Sequence, residues 1–171
     1  MTDRRLHIGQ TPGGDDFTLP ADIAVQASAV IGKRGTGKTV TATVIVEELL
    51  KLGVHVVIID PVDVWWGLKS SIDGDEEGFP VLSLGGSHGD LPLEADHGRR
   101  LADFAVEERV PMILSLRHLR KGQQRTFVTD FAEQLYHRKG EPENRVPLHL
   151  VVDEASRFIP QRVSGNLARS V

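Results

Sequence analysis

The feature that most constrains the fold is a glycine-rich segment, Gly32-Lys-Arg-Gly-Thr-Gly-Lys38-Thr39, which matches G-x-x-x-x-G-K-[ST] at every fixed position. Glycines allow the backbone to curl so that successive N–H groups point inward at an anion. In this pattern the loop opens a helix, whose N-terminal dipole and free N–H groups favour the same anion. The segment therefore predicts a phosphate-binding loop within an α/β domain.

The residues on either side of the loop predict the context that such a motif requires. Ala27 to Ile31 is apolar and predicts a short buried strand that leads into the loop. Apolar residues at helical spacing predict a helix over residues 38–52, ended by Gly53. A dinucleotide-binding loop is excluded, because the sequence contains no G-x-G-x-x-G. The glycine segment thus predicts a nucleoside triphosphate site.

The rest of the chain alternates between β-type and helical patterns. Apolar runs predict further strands at residues 54–59, 79–84, 111–116 and 148–152, and amphipathic patterns predict helices at residues 95–109 and 122–138. Strands that alternate with helices predict an α/β domain with a mostly parallel sheet. Residues 1–24 are polar and turn-rich, and short apolar pieces within them predict a small hairpin that caps the domain.

Composition limits the kind of protein that this chain can be. Its 171 residues suit one domain. Its net charge of −4 argues against a surface that is basic throughout, although a local basic patch stays open. The sequence has no cysteine, which excludes disulfides and thiolate metal sites. Neither a secretory signal nor a run of about 20 apolar residues is present, so we expect a cytoplasmic location and no membrane contact.

The loop chemistry predicts ATP as the ligand, together with Mg²⁺. Lys38 is expected to reach the β- and γ-phosphates, and the Thr39 hydroxyl to coordinate the metal. The complete set of expected nucleotide contacts is Gly32, Lys33, Arg34, Gly35, Thr36, Gly37, Lys38, Thr39 and Val40.

A second candidate group follows the apolar run 148–152. Asp153 is expected to hold Mg²⁺ through a water molecule, and Glu154 to act as the base that orients water for attack on the γ-phosphate. An Asp-Glu pair favours a nucleoside triphosphatase over a small-molecule kinase, which must exclude water. A strand that simply ends in acids is the alternative interpretation.

Three further features carry weaker predictions. Asp60 could contact the attacking water or a neighbouring subunit, but capping of a loop is favoured. Trp65 and Trp66 could close over the nucleotide, seal a subunit interface or pack in the core. A basic group could contact DNA phosphates or a neighbour's ATP, although a solvated helix start is favoured; it consists of Arg117, Arg120, Lys121 and Arg125.

The chain resembles the HerA/FtsK branch of P-loop ATPases over about residues 25–165. The phosphate loop, the strand ending Ile58-Ile-Asp-Pro61 and the strand ending Asp153-Glu154 carry the resemblance. The segments 60–68 and 158–162 are also similar to the family pattern. The resemblance implies a three-layer, RecA-like ATPase core that assembles as a hexameric ring and translocates double-stranded DNA. It also implies a nuclease or another effector as a partner.

One departure from the family pattern concerns the C-terminal side. Only 17 residues follow Glu154, whereas the family's core continues through strands that carry a polar sensor and an arginine. A βαβ unit takes upwards of about 30 residues. We therefore expect residues 25–171 to form an incomplete ATPase domain. An ATP-dependent oligomerising or effector-recruiting module without motor activity stays open, as does a small-molecule kinase.

Overall fold

A computed structural model describes residues 4–71, 75 and 77–158 of the chain. Within these residues the strands are β1 Arg5–Gln10, β2 Asp16–Pro20, β3 Val56–Asp60, β4 Leu82–Gly85, β5 Met112–Ser115 and β6 His149–Val152. The α-helices are α1 Lys38–Lys51, α2 Gly98–Glu108 and α3 Lys121–Gly140. Short 3₁₀ helices lie between them, including Trp65–Lys69 after β3 and Ala155–Arg157 after β6.

Four of the strands form a parallel sheet in the order β4-β5-β3-β6. The register pairs Ile58 of β3 with Ile113 of β5 and with Val151 of β6. Because the strands are parallel, their carboxyl ends meet at one edge, where Asp60 and Gly85 both pair with Ser115. Ligands of open α/β sheets bind at that edge, so it is the expected position of a binding site.

The sheet is covered on both faces, which makes three layers. Val57 and Ile59 of β3 belong to one core with α2 and α3. Val56 and Ile58 belong to a second core with α1 and the hairpin β1-β2. All five residues of β3 are buried, as a central parallel strand requires. The predicted α/β P-loop architecture with a mostly parallel sheet is confirmed.

The hairpin β1-β2 is attached to α1. Its Leu6 is fully buried, and the backbone N–H of His7 donates a hydrogen bond of 3.0 Å to the Glu48 carboxylate. The Glu48 pKa lies below its ordinary value, because hydrogen bonds from the Lys51 ammonium and the His7 amide outweigh the effect of burial. The hairpin and α1 therefore cover the same face of the sheet.

The prediction of a strand at residues 27–31 is wrong. These residues have no regular secondary structure, and Ile31 is 90% exposed. A strand exists only within a hydrogen-bonded ladder, and no described strand pairs with this segment. The outer side of β6 is likewise unpaired within the described residues, and Leu150 on that strand is exposed. The apolar pattern indicated burial that the described part of the chain does not provide.

None of the helices in the described part of the chain has the length and apolar character that crossing a membrane requires.

Candidate nucleotide-binding site

The phosphate loop forms an exposed, compact turn at the start of α1. Gly35 and Gly37 have φ values of 80° and 81°, a region that residues with a side chain adopt at a cost. The Lys38 ammonium donates to the Lys33 carbonyl at 2.9 Å, and the Thr36 hydroxyl donates to the same carbonyl at 2.8 Å. A Cβ on Gly32 would lie 2.6 Å from the Thr36 hydroxyl oxygen. Glycine is therefore required by curvature and by close approach.

The helix that follows has the electrostatics of an anion site. Gly37 occupies the N-cap position of α1, and no acidic residue lies in the first turn. The free N–H groups and the positive end of the helix dipole are therefore not offset by a neighbouring carboxylate. Lys38 is partly buried, while Thr39 and Val40 are exposed. The loop and the first turn of α1 offer backbone donors, the Lys38 ammonium and the Thr39 hydroxyl to a ligand in solvent.

Asp153 lies directly after β6 at the carboxyl edge of the sheet. Its backbone N–H donates to the carbonyl of Ile59 at 3.1 Å, which continues the ladder with β3. One carboxylate oxygen, Oδ2, accepts a hydrogen bond of 3.1 Å from Nε1 of Trp65. The other, Oδ1, accepts the backbone N–H of Glu154 at 2.8 Å. The carboxylate is thus oriented by two donors.

Glu154 has a backbone conformation that is uncommon for its type. Its φ of 47° and ψ of 43° lie in the left-handed region, which costs a residue with a Cβ about 1–2 kcal/mol. The residue is exposed and caps the 3₁₀ helix 155–157. Strained backbone of this kind is frequent at functional sites. The side chain is therefore presented to solvent at the sheet edge, next to Asp153.

Asp60 ends β3 and is fully buried. Its carboxylate accepts four backbone N–H groups, from Val62, Asp63, Val64 and Trp65, at 2.7–3.0 Å. Such a carboxylate fixes the direction in which the chain leaves the strand. The capping interpretation of Asp60 is supported, and its oxygens are already engaged by the loop.

A second polar cluster at the same edge was not predicted from the sequence. Asp63 has a φ of 66° and accepts the Ser115 hydroxyl at 2.7 Å and the Ser87 N–H at 2.9 Å. Burial acts to raise the Asp63 pKa, but these hydrogen bonds and His88 lower it overall. Trp66 stacks on His88, with ring centroids 4.2 Å apart. No local sequence pattern indicates this cluster, because it depends on the pairing of β3 with β5.

Beside this cluster lies a cleft of about 280 Å³, lined in part by Gly86, Leu91, Ser115 and His118. A Cβ on Gly86 would lie 2.1 Å from Asp63 Oδ1. The glycine therefore lets the 85–89 turn close over Asp63. The cleft adjoins the carboxyl ends of β4 and β5.

The basic group lies on the segment that follows β5 and on the first turns of α3. Arg117, Arg120, Lys121 and Arg125 are all exposed. Arg117 Nη1 donates to the carbonyl of Val62 at 3.1 Å, so this residue also stabilises the loop after β3. None of these four cations takes part in the ion pairs that the described residues form with acids. Their charge is available to an anionic partner.

The predicted site residues fall into two groups. Asp153 and Glu154 are adjacent, and Trp65 joins Asp153 to the Asp60 loop. Between the phosphate loop and the acidic pair, the described residues form no hydrogen bond or ion pair. The sequence did not indicate that Trp65 contacts Asp153, because the two residues lie 88 positions apart in the chain.

The donor set fits a magnesium ion. Mg²⁺ prefers oxygen ligands, one or two carboxylates and the phosphates of a nucleotide. Asp153 is partly exposed, and each of its oxygens accepts one hydrogen bond. A carboxylate has about four acceptor positions, so a position on each oxygen stays open for a metal or its water. Thr39 supplies a hydroxyl on an exposed first helical turn.

A parallel α/β sheet, a glycine loop that opens α1, and a strand ending in two acids define the class of RecA-like P-loop proteins. Residues 6–63, about a third of the chain, match the family described as "Helicase HerA, central domain". The matched segment contains the hairpin except for Arg5, together with the phosphate loop, α1 and β3. This segment is therefore similar to the HerA central domain, and it overlaps the N-terminal part of the expected resemblance. No curated protein and no solved structure matches the chain.

Proposed function

We propose that this chain binds ATP with Mg²⁺ through residues 32–40 and hydrolyses it as the ATPase domain of a HerA-like DNA translocase. The observation that carries this proposal is the phosphate loop at the start of α1, within the segment that matches the HerA central domain. The loop supplies N–H donors and Lys38 for the phosphates.

The chain's own residues divide the chemistry between them. Lys38, which now donates to the Lys33 carbonyl, exchanges that acceptor for the β- and γ-phosphates. Thr39 and Asp153 hold Mg²⁺, which neutralises phosphate charge when bound. Glu154 orients a water molecule and accepts its proton as the water oxygen bonds to the γ-phosphorus; the bond from that phosphorus to the bridging oxygen breaks, and ADP leaves. Its exposed position leaves room for that water.

The proposed assembly is a homo-oligomeric ring, hexameric by resemblance, that acts on double-stranded DNA with a nuclease or effector protein in the cytoplasm. The exposed basic residues at the carboxyl edge support contact with a polyanion. Hydrolysis in the ring depends on a sensor and an arginine that the resemblance assigns to other parts of the family's core.

A second candidate is a module in which ATP only orders an oligomer or recruits an effector. The observation that favours it is the lack of any hydrogen bond or ion pair, in the described chain, between the phosphate loop and Glu154. The two candidates differ in turnover and agree on binding. A small-molecule kinase is disfavoured by Glu154, which would admit water.

Nucleotide binding is tested with Lys38→Ala and a fluorescent ATP analogue. Losing hydrogen bonds to a charged phosphate costs about 1.5–3 kcal/mol, so we expect affinity to fall about 10- to 100-fold. The matched control is Lys51→Ala at the other end of α1, whose side chain pairs with Glu48. Equal affinity in the two variants would contradict the assignment of the loop.

Hydrolysis is tested with Glu154→Gln. The amide cannot accept a proton, so we expect turnover to fall by about 10²–10⁴ while ATP affinity stays close to the parent's. Glu133→Gln, an exposed acid on α3, is the control. Turnover by the parent with no loss in Glu154→Gln would assign the base elsewhere. Binding without turnover in the parent supports the module.

A further inference from the structure

We propose that Trp65 is a positioning residue for the metal-binding carboxylate of Asp153, which makes the affinity for Mg²⁺ depend on an indole N–H. The inference rests on the proposed function, because it assigns the same site a further residue. The juxtaposition that carries it is the hydrogen bond of 3.1 Å from Trp65 Nε1 to Asp153 Oδ2.

The indole is held rigidly at both of its ends. The Trp65 backbone N–H donates to Asp60 Oδ2 at 2.9 Å, and Asp60 is itself fully buried under four such bonds. The Trp65 side chain belongs to the core beneath α1 and is 3% exposed. A ring fixed by packing and by its backbone directs its one N–H along a single line.

The direction of the indole N–H determines the orientation of the Asp153 carboxylate. The Oδ1 bond is to the next residue's own N–H, so it moves with the local backbone. Within the described residues, the Trp65 bond ties the carboxylate to a different element, the 3₁₀ helix Trp65–Lys69. An indole N–H only donates; it occupies one lone pair of Oδ2 and sets the direction of the rest. Loss of such a partner typically lowers metal affinity about 10- to 100-fold.

Trp66 provides a matched control on the same 3₁₀ helix. It is 41% exposed and stacks on His88. Among the described hydrogen bonds, those to Asp153 come from Trp65 and Glu154. Removing the Trp66 indole therefore changes a neighbouring aromatic ring without touching the carboxylate.

The first experiment measures Mg²⁺ affinity rather than activity. Trp65→Phe keeps a buried aromatic ring and removes the N–H. At a fixed concentration of bound ATP analogue, we expect the Mg²⁺ midpoint to rise about 10- to 100-fold, while analogue affinity without Mg²⁺ stays at the parent value. Trp66→Phe is expected to leave both quantities unchanged. An unchanged Mg²⁺ midpoint in Trp65→Phe would overturn the inference.

A second measurement covers the case in which Trp65→Phe does not fold. The chain has two tryptophans, so Trp66→Phe labelled with ¹⁵N-tryptophan gives one indole N–H signal, that of Trp65. We expect this signal to shift when Mg²⁺ is added to the ATP-bound protein, and to shift without any ligand in the added variant Asp153→Ala. A signal that neither addition nor substitution moves would refute the hydrogen bond.

The outcomes separate this inference from the function on which it rests. A parent chain that fails to bind the ATP analogue with or without Mg²⁺ overturns the proposed function and the role of Trp65 with it. A parent chain that binds the analogue with Mg²⁺, beside a Trp65→Phe variant that has the same Mg²⁺ midpoint, overturns only the role of Trp65.

Discussion

At the residue scale, Asp60 decides how the chain leaves β3. We expect Asp60→Asn to lower the free energy of unfolding by about 3 kcal/mol, because an amide NH₂ would face N–H donors that the carboxylate now satisfies. Urea unfolding measures this change. The exposed Asp15→Asn is the control, expected to stay within about 0.5 kcal/mol of the parent. Equal losses in both variants would reject the capping role.

His55 gives the fold a pH dependence. Burial lowers its pKa below the ordinary 6.5 and outweighs a hydrogen bond to Val110 that acts to raise it, while the Lys139 and Arg109 charges add smaller lowering effects. Among the described residues, its buried Nε2 has no hydrogen-bond partner. The folded state disfavours protonation of His55, whereas the unfolded state takes up a proton near pH 6.5. The contribution of His55 to the free energy of unfolding is therefore fully present above pH 6.5 and is lost as the pH falls from 6.5 towards the lowered pKa of the folded state.

The test compares unfolding free energies at about pH 7.5 and pH 5.5 for the parent and His55→Asn. Asparagine retains an amide donor near the position of Nδ1 and does not titrate. We expect the variant to lose less stability than the parent on acidification. If the two proteins lose the same amount, another group is responsible for the pH dependence.

Single residues also mark the limit of what the sequence predicts. Lys38 could be selected from the glycine-rich motif, and Asp153 and Glu154 from the apolar run that directly precedes them. The hydrogen bond from Trp65 to Asp153 joins two elements across the sheet edge, and no local pattern encodes it. The pairing of Asp63 with Ser115 is of the same kind. Such partners depend on strand order, which periodicity does not reveal.

At the scale of elements, periodicity predicted the secondary structure that depends on the local sequence. The helices α1, α2 and α3 and the four strands of the sheet lie within a few residues of their expected places. The segment 27–31 is the exception, since its apolar residues predicted a buried strand and remain exposed. A helix satisfies its own backbone, whereas a strand needs a neighbour. Strand predictions therefore fail where no described strand pairs with the segment.

The hairpin β1-β2 offers a prediction at this scale. Leu6 is fully buried between the hairpin and α1, so we expect Leu6→Ala to lower the unfolding free energy by about 2–5 kcal/mol. Phe17→Ala on β2 removes a larger side chain that is 48% exposed, and its cost is expected to be much smaller. Denaturant unfolding monitored by circular dichroism measures both. A larger loss in Phe17→Ala would show that the hairpin does not pack as described.

At the scale of the whole molecule, charge and its distribution point to different partners. The net charge of −4 is unfavourable for DNA on average, yet four exposed cations follow the carboxyl end of β5. A polyanion is therefore expected to bind at one edge of the sheet. Arg145 lies before β6, hence at the opposite, amino edge, and is exposed. The two edges can be compared within one chain.

We expect the double variant Arg120→Ala, Arg125→Ala to bind duplex DNA more weakly than the parent and to reduce the slope of log affinity against log salt by about 0.9 for each phosphate that the protein no longer neutralises. Arg145→Ala should leave that slope unchanged. Fluorescence anisotropy over a salt series gives the slopes, and mass photometry of the same samples with and without ATP gives the particle mass.

A DNA-dependent increase in ATP turnover by a ring-sized particle supports the translocase. Assembly without turnover supports the module, and equal slopes in all three proteins would move the DNA-binding surface away from this edge.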